Sequence, residues 1–128
     1  MKVAVLIARI LLGLVFLVFG FDKLVPFIPA QLPAGDAGIL AGLMMGHKWM
    51  TFYGVVETTS GLLLLIGRFV PLALTLLAGM IVNILLFDIT LAPVGLPPGL
   101  VAGVLEVFLV YAYREHFAGI FDANAKPA

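Results

Sequence analysis

Three ionisable residues interrupt long apolar segments of this chain of 128 residues. Arg9 follows "VAVLIA", Glu57 follows "FYGVV" and Glu106 follows "LVAGVL". A charge at the centre of a bilayer costs roughly 2.5 to 3.5 kcal/mol on insertion scales, so such residues pair with one another and mark sites for protons or ligands. Because one arginine can bind two carboxylates, we predict a buried cluster of Arg9, Glu57 and Glu106. The cluster either handles protons or a ligand, or only clamps three helices together.

The depths of the three residues support one shared site. Counted from the basic residue at the inner end of each segment, Arg9, Glu106 and Glu57 lie about 10, 12 and 16 Å deep, at about 1.5 Å per residue. The starting points of this count are Lys2, Arg114 and Arg68. One arginine and two carboxylates would leave a net negative charge. We therefore predict that one carboxylate is protonated near neutral pH, with Glu57, the deepest, as the proton holder.

Glycines lie on the same helical faces as the three charged residues. Small residues let membrane helices approach closely, so we predict that these glycines pack the helices around the cluster. They are Gly13, Gly20, Gly54, Gly61 and Gly103.

A second group of polar residues lies towards the opposite, outer side. Lys23 and Asp88 either pair across the bundle or form a solvated rim, and Asn83 is expected to make a hydrogen bond between helices. Three aromatic residues nearby, Trp49, Phe52 and Tyr53, either line an opening for a flat ligand or anchor the chain at the membrane interface.

Composition excludes several classes of protein. Hydrophobic residues make up 63% and charged residues 11% of the chain, against roughly 45 to 50% and 25% in soluble domains, so the lipid bilayer is the expected partner. With no cysteine, disulfides and thiolate metal sites are excluded. His47 and His116 are predicted on opposite sides, so we predict no metal site. Zero net charge without a basic run argues against nucleic acid.

Four apolar segments of about 20 residues predict membrane-spanning helices. The fold class is therefore an all-α, integral membrane four-helix bundle in one domain, 1–128. Within the outer loop, proline and glycine argue against a continuous helix, and 37–45 is either a short turn on the membrane surface or plain loop. The predicted helices cover 3–21, 49–67, 69–87 and 99–114, and the outer loop covers 22–48.

The basic residues are distributed unevenly between the two sides. Lys2, Arg68, Arg114 and Lys126 fall on one side, and Lys23 and Lys48 fall on the other. Because cytoplasmic loops carry an excess of basic residues, we predict a multi-pass protein with both termini in the cytoplasm.

Two stretches of the sequence resemble those of the DoxX family, the DoxX/DoxD-like four-helix membrane proteins. They are "IARILLGLVFLVFGFDKL" and "GVVETTSGLLLLIG". The resemblance is carried best by Arg9, Gly20, Lys23, Glu57 and Gly61. It implies a bacterial inner-membrane protein from a family named after a subunit of a thiosulfate:quinone oxidoreductase. Its members are associated with membrane redox complexes and oxidative-stress responses, and most have no established activity.

Three functional hypotheses follow, and they leave open whether the chain is itself an enzyme. The first is a quinone-linked, redox-associated subunit in which the cluster gives a proton or hydrogen bond to a quinone, the candidate cofactor, and a protein partner supplies electrons. The second is a non-catalytic scaffold or assembly subunit that binds a partner through the outer loop. The third is a small-solute or proton conduit, which would require a homo-oligomer.

Overall fold

The computed structural model describes residues 1–28 and 32–128, and helices dominate it. Of these residues 82% are helical and none lies in a strand. The chain forms five α-helices in this part: α1 (Lys2–Leu24), α2 (Gly35–Gly46), α3 (Trp49–Ile66), α4 (Val70–Thr90) and α5 (Leu96–Ala112). Short 3₁₀ segments lie at Pro93–Gly95 and Arg114–Phe121.

Four helical segments among the described residues are long and apolar enough to cross a membrane. They are α1, α3, α4 and Pro93–Ala112, which confirms the predicted all-α membrane bundle. The helix boundaries differ from the prediction by a few residues. α1 continues to Leu24, and α5 begins before Pro97 and Pro98, because proline in a first helical turn loses no hydrogen bond.

The loop between α1 and α3 contains a helix of its own. The structure has the helix α2, Gly35–Gly46, where the sequence predicts only a short turn or plain loop at 37–45. Asp36 lies in its first turn, where a carboxylate interacts favourably with the helix dipole. α2 packs against α3, so the loop becomes a fifth wall at one end of the bundle.

Glycines allow the backbones of α1 and α3 to touch. A methyl group on Gly61 would lie 2.6 Å from the Leu17 amide nitrogen and 2.7 Å from the Gly13 carbonyl oxygen. At the outer end, a methyl group on Gly54 would lie 2.9 Å from the Gly20 carbonyl oxygen. By contrast, Gly103 lies between α4 and α5, where a methyl group would fit: it would be 3.6 Å from the nearest atom. Four of the five predicted glycines therefore lie in the α1–α3 contact.

The four spanning helices close into a ring around an apolar centre. α1 packs on α3, α3 on α4, α4 on α5, and α5 again on α1. Five leucines are fully buried in this centre: Leu12, Leu64, Leu74, Leu77 and Leu109. Many large apolar side chains on the outside remain exposed, and the lipid bilayer accounts for their exposure.

A tight turn joins α3 to α4 at the end of the bundle opposite α2. Gly67 ends α3 with φ 74°, and Phe69 precedes α4 with φ 53°. The Gly67 amide donates to the Leu63 carbonyl at 2.9 Å. Such a positive φ favours glycine, so this residue sets the hairpin between the two helices.

Candidate functional site

The most deeply buried ion pair joins α1 to α3. The Lys23 Nζ donates to the Glu57 Oε2 at 2.7 Å. Glu57 is only 2% exposed, whereas the Lys23 side chain is 26% exposed. Gly20 makes this pairing possible, because a methyl group there would lie 2.8 Å from the Glu57 Cβ. Lys23 lies one helical turn after this close contact and therefore reaches the carboxylate.

The predicted pairing of Glu57 with Arg9 is wrong. The Arg9 guanidinium lies at the opposite end of α3, where a methyl group on Gly67 would be 2.7 Å from its Nη1. Gly67 follows Glu57 by ten residues, or about 15 Å along a helix. The depth count failed because it assumed that Lys2 of α1 and the turn after α3 lie at the same level. In the structure this turn lies beside Arg9, which is almost two helical turns beyond Lys2 on α1.

Glu106 is buried without a partner. It is 5% exposed, and neither of its carboxylate oxygens has a hydrogen-bond partner in the part of the chain that the structure describes. The Arg9 Nε is likewise buried and unbonded within this part. The structure thus does not assemble Arg9, Glu57 and Glu106 into one bonded cluster. That one of the two glutamates is protonated stays a prediction.

The second group of polar residues from the sequence, Lys23, Asn83 and Asp88, lies around one cavity of about 720 Å³. Lys23, Glu57, Asn83 and Asp88 all line it. The pairing of Lys23 with Asp88 is wrong, because the ammonium binds Glu57 instead. Asp88 is only 8% exposed and lies in the wall of the cavity; the solvated rim stays a prediction.

The two polar residues of α4 have local contacts. Asn83 Nδ2 donates to the Gly79 carbonyl of its own helix at 3.0 Å, and among the described residues it makes no hydrogen bond to another helix. The Asp88 carboxylate lies against the start of α5, where a methyl group on Gly95 or Gly99 would approach it to 2.9 or 2.8 Å. Both side chains therefore remain beside the cavity without bridging to α1.

Apolar side chains form most of the cavity wall. α2 contributes Leu40, Leu43 and Met44, and α3 and α4 contribute Met50 and Met80. Methionine adapts to irregular ligand shapes. Sequence reasoning missed α2 as a wall of the site. The signal was present in the apolar stretch 37–45, but nothing in the sequence showed that it packs on α3.

Aromatic residues also line this cavity. Trp49 and Tyr53 line it, and their rings meet edge to face with centroids 6.5 Å apart. Phe52 is 61% exposed and is not among the lining residues. Of the two interpretations of these aromatics, the opening for a flat ligand fits Trp49 and Tyr53, and interface anchoring fits Phe52.

The arrangement suits a mostly apolar ligand with a few oxygen atoms. Ligand cavities typically have apolar walls and a small number of polar groups that orient the ligand. Here an ammonium and two carboxylates lie beside thioether and aromatic side chains. The ammonium can donate to a carbonyl oxygen, and a carboxylate can accept from a hydroxyl group.

Comparison with known proteins gives one match. The DoxX family model matches residues 4–89, which is more than half of the chain. The matched range includes Lys23, Glu57 and Asp88, and it ends before α5 and Glu106. No curated protein matches the chain, and no solved structure matches it.

Proposed function

This chain belongs to the DoxX family, and we propose that it is a quinone-linked subunit of a membrane oxidoreductase system. The observation that supports this proposal is the Lys23–Glu57 pair, at 2.7 Å, beside an apolar cavity between membrane-spanning helices. A charged pair in such a place is costly and is a functional site by default.

The lining residues fit the chemistry of a quinone. A quinone is a flat ring with two carbonyl groups and usually an apolar tail, and it supplies two-electron, two-proton redox chemistry when bound. Lys23 would donate to a ring carbonyl, Trp49 and Tyr53 would pack on the ring, and the methionines would contact the tail. The cavity of about 720 Å³ lies within the range of roughly 300 to 1,000 Å³ typical of small-molecule sites.

The residues would handle protons rather than electrons. Glu57 can accept a proton at Oε1 or Oε2 from a ligand hydroxyl, and Lys23 keeps the carboxylate oriented through its hydrogen bond. The chain has no cysteine and two histidines, one lining this cavity and the other near the opposite end of the bundle. We therefore assign electron transfer to a protein partner.

The only tryptophan of the chain provides the test, because Trp49 lines the cavity. A short-chain quinone is titrated into the protein in lipid nanodiscs, and the tryptophan fluorescence is measured. We expect saturable quenching, with Kd raised at least about tenfold, or 1.4 kcal/mol, by Lys23→Met and by Glu57→Gln. Glu106→Gln is the matched control and should leave Kd unchanged. Quenching that does not saturate, or that these variants do not alter, would overturn the proposal.

We further propose that the protein lies in the bacterial inner membrane with both termini in the cytoplasm, so that the cavity opens towards the outer face. The absence of cysteine makes this easy to test with single Asp36→Cys and Lys126→Cys variants. A membrane-impermeant maleimide applied to intact spheroplasts should label position 36 only. Labelling of position 126 alone would reverse the orientation.

A second candidate function is a non-catalytic scaffold, and one observation favours it. α2 carries exposed apolar side chains, among them Ile39 at 63% and Met45 at 59%. These side chains would contact a protein partner or a second copy of the chain. Ile39→Ser with Met45→Ser should then abolish co-purification of the partner while the fluorescence titration remains unchanged, because neither residue lines the cavity. Loss of quinone binding without loss of the partner would count against the scaffold.

A further inference from the structure

A second cavity, of about 580 Å³, lies at the opposite end of the bundle. It is formed where the beginning of α1 meets the end of α5. Its lining comes from one face of α1 and from the residues that end α5 and follow it. They include Lys2, Leu6, Arg9, Tyr111 and Arg114. The proposed quinone site uses none of these residues.

Three cations converge on this cavity. Lys2, Arg9 and Arg114 line it, and the described residues contribute no carboxylate to its wall. Glu115 is adjacent in sequence but exposed, and it is not among the lining residues. The cavity therefore has a strong positive charge, and its ligand should be an anion.

Two of these cations are held in place by their surroundings. Arg114 Nη1 donates to the Tyr111 carbonyl at 2.9 Å, and its guanidinium carbon lies 4.4 Å from the centroid of the Tyr111 ring. Arg9 lines the cavity, and its guanidinium is held against Gly67. A guanidinium fixed in this way presents its N–H groups as a planar fork, which matches the oxygen atoms of a phosphate.

The position of the cavity favours a lipid as the source of the phosphate. α1 begins at Lys2 and α5 ends at Ala112, so the cavity lies at the edge of the apolar band, where lipid headgroups are found. The first amides of α1 have no side-chain cap and add a positive helix end to the same region. Leu6 is 45% and Ile10 is 37% exposed, and they offer an apolar track for an acyl chain.

We propose that this cavity binds the phosphate group of an anionic phospholipid. Arg9 and Arg114 bind the phosphate oxygens, Lys2 adds charge at the rim, and an acyl chain lies along Leu6 and Ile10. This proposal does not depend on the quinone site, because the two cavities lie at opposite ends of the bundle.

Native mass spectrometry of the delipidated full chain tests the proposal. The protein in neutral detergent is mixed with phosphatidylglycerol or with phosphatidylcholine, and the bound lipids are counted. We expect one retained phosphatidylglycerol and weaker binding of phosphatidylcholine. Each of Lys2→Gln and Arg114→Gln should weaken phosphatidylglycerol binding about fivefold, as expected for one basic residue near an anionic surface. The matched control is Arg68→Gln, because Arg68 is an exposed cation at the same end of the bundle that does not line the cavity.

Three outcomes would overturn the proposal. If Arg68→Gln weakens binding as much as Arg114→Gln, the attraction is diffuse surface charge. If neither cavity variant changes binding while circular dichroism shows both to be folded, the cavity is not the site. If inorganic phosphate displaces the lipid at equal concentration, the ligand is a free phosphate and the lipid assignment is wrong.

Discussion

Gly61 of α3 lies directly against the Gly13 carbonyl of α1, and a methyl group on Gly61 would approach that oxygen to 2.7 Å. Small residues on both helices are therefore a steric requirement of this contact. Since Lys23 and Glu57 lie on the same two helices, the contact also determines which charges meet.

Substitution of this glycine should destabilise the bundle. We expect Gly61→Ala to lower the free energy of unfolding by about 1 to 3 kcal/mol, the usual cost of overpacking, because the neighbouring atoms belong to backbone. Thermal unfolding in detergent, followed by circular dichroism, measures this. Gly103→Ala is the matched control, since a methyl group there would be 3.6 Å from its nearest neighbour. Equal melting temperatures for the two variants would contradict the close α1–α3 contact.

Removal of Glu57 should also destabilise the protein. In Glu57→Leu the Lys23 ammonium, 26% exposed, loses its partner beside an apolar cavity. Because the ammonium keeps some access to polar surroundings, we expect the free energy of unfolding to fall by about 1 to 3 kcal/mol. This is less than the cost of removing one partner from a fully buried ion pair. The same unfolding assay measures the loss. Lys23→Met with Glu57→Leu should recover part of it, and strictly additive effects would show that the pair is not coupled.

Removal of Glu106 should have the opposite effect. Its carboxylate oxygens have no partner among the described residues, and a buried unsatisfied polar group costs about 1 to 3 kcal/mol. Glu106→Leu is therefore expected to leave the melting temperature unchanged or to raise it. A clear fall in melting temperature would reveal a partner for Glu106, such as a bound water or a residue of another chain.

Position 67, in the turn after α3, should favour glycine over a residue with a side chain. Gly67→Ala would place a side chain at φ 74°, 2.7 Å from Nη1 of the Arg9 guanidinium. We therefore expect the free energy of unfolding to fall by at least about 1 kcal/mol. Gly79→Ala is the control, because Gly79 is exposed on α4 with no atom within 4 Å of an added methyl group. That variant should be neutral or slightly stabilising. A Gly67→Ala protein as stable as Gly79→Ala would show that the hairpin has another geometry.

The number of membrane-spanning helices could be predicted from the sequence, and so could the burial of the two glutamates. A membrane span depends on local length and hydropathy, and helical periodicity places Glu57 and Glu106 on the same faces as glycines. Both glutamates are buried in the structure. Sequence also pointed to Lys23, Asn83 and Asp88, which line the cavity.

Only the tertiary structure decided which residues are partners. Periodicity gives the face of a helix but not its sliding position against a neighbour. Arg9 and Lys23 share one face of α1 almost four helical turns apart, so periodicity alone does not decide which of them meets Glu57. The backbone contacts of Gly20 and Gly54 set that position, because a close contact between two backbones fits at one register. The same holds for α2, whose packing on α3 turns an apolar loop segment into a wall of the cavity.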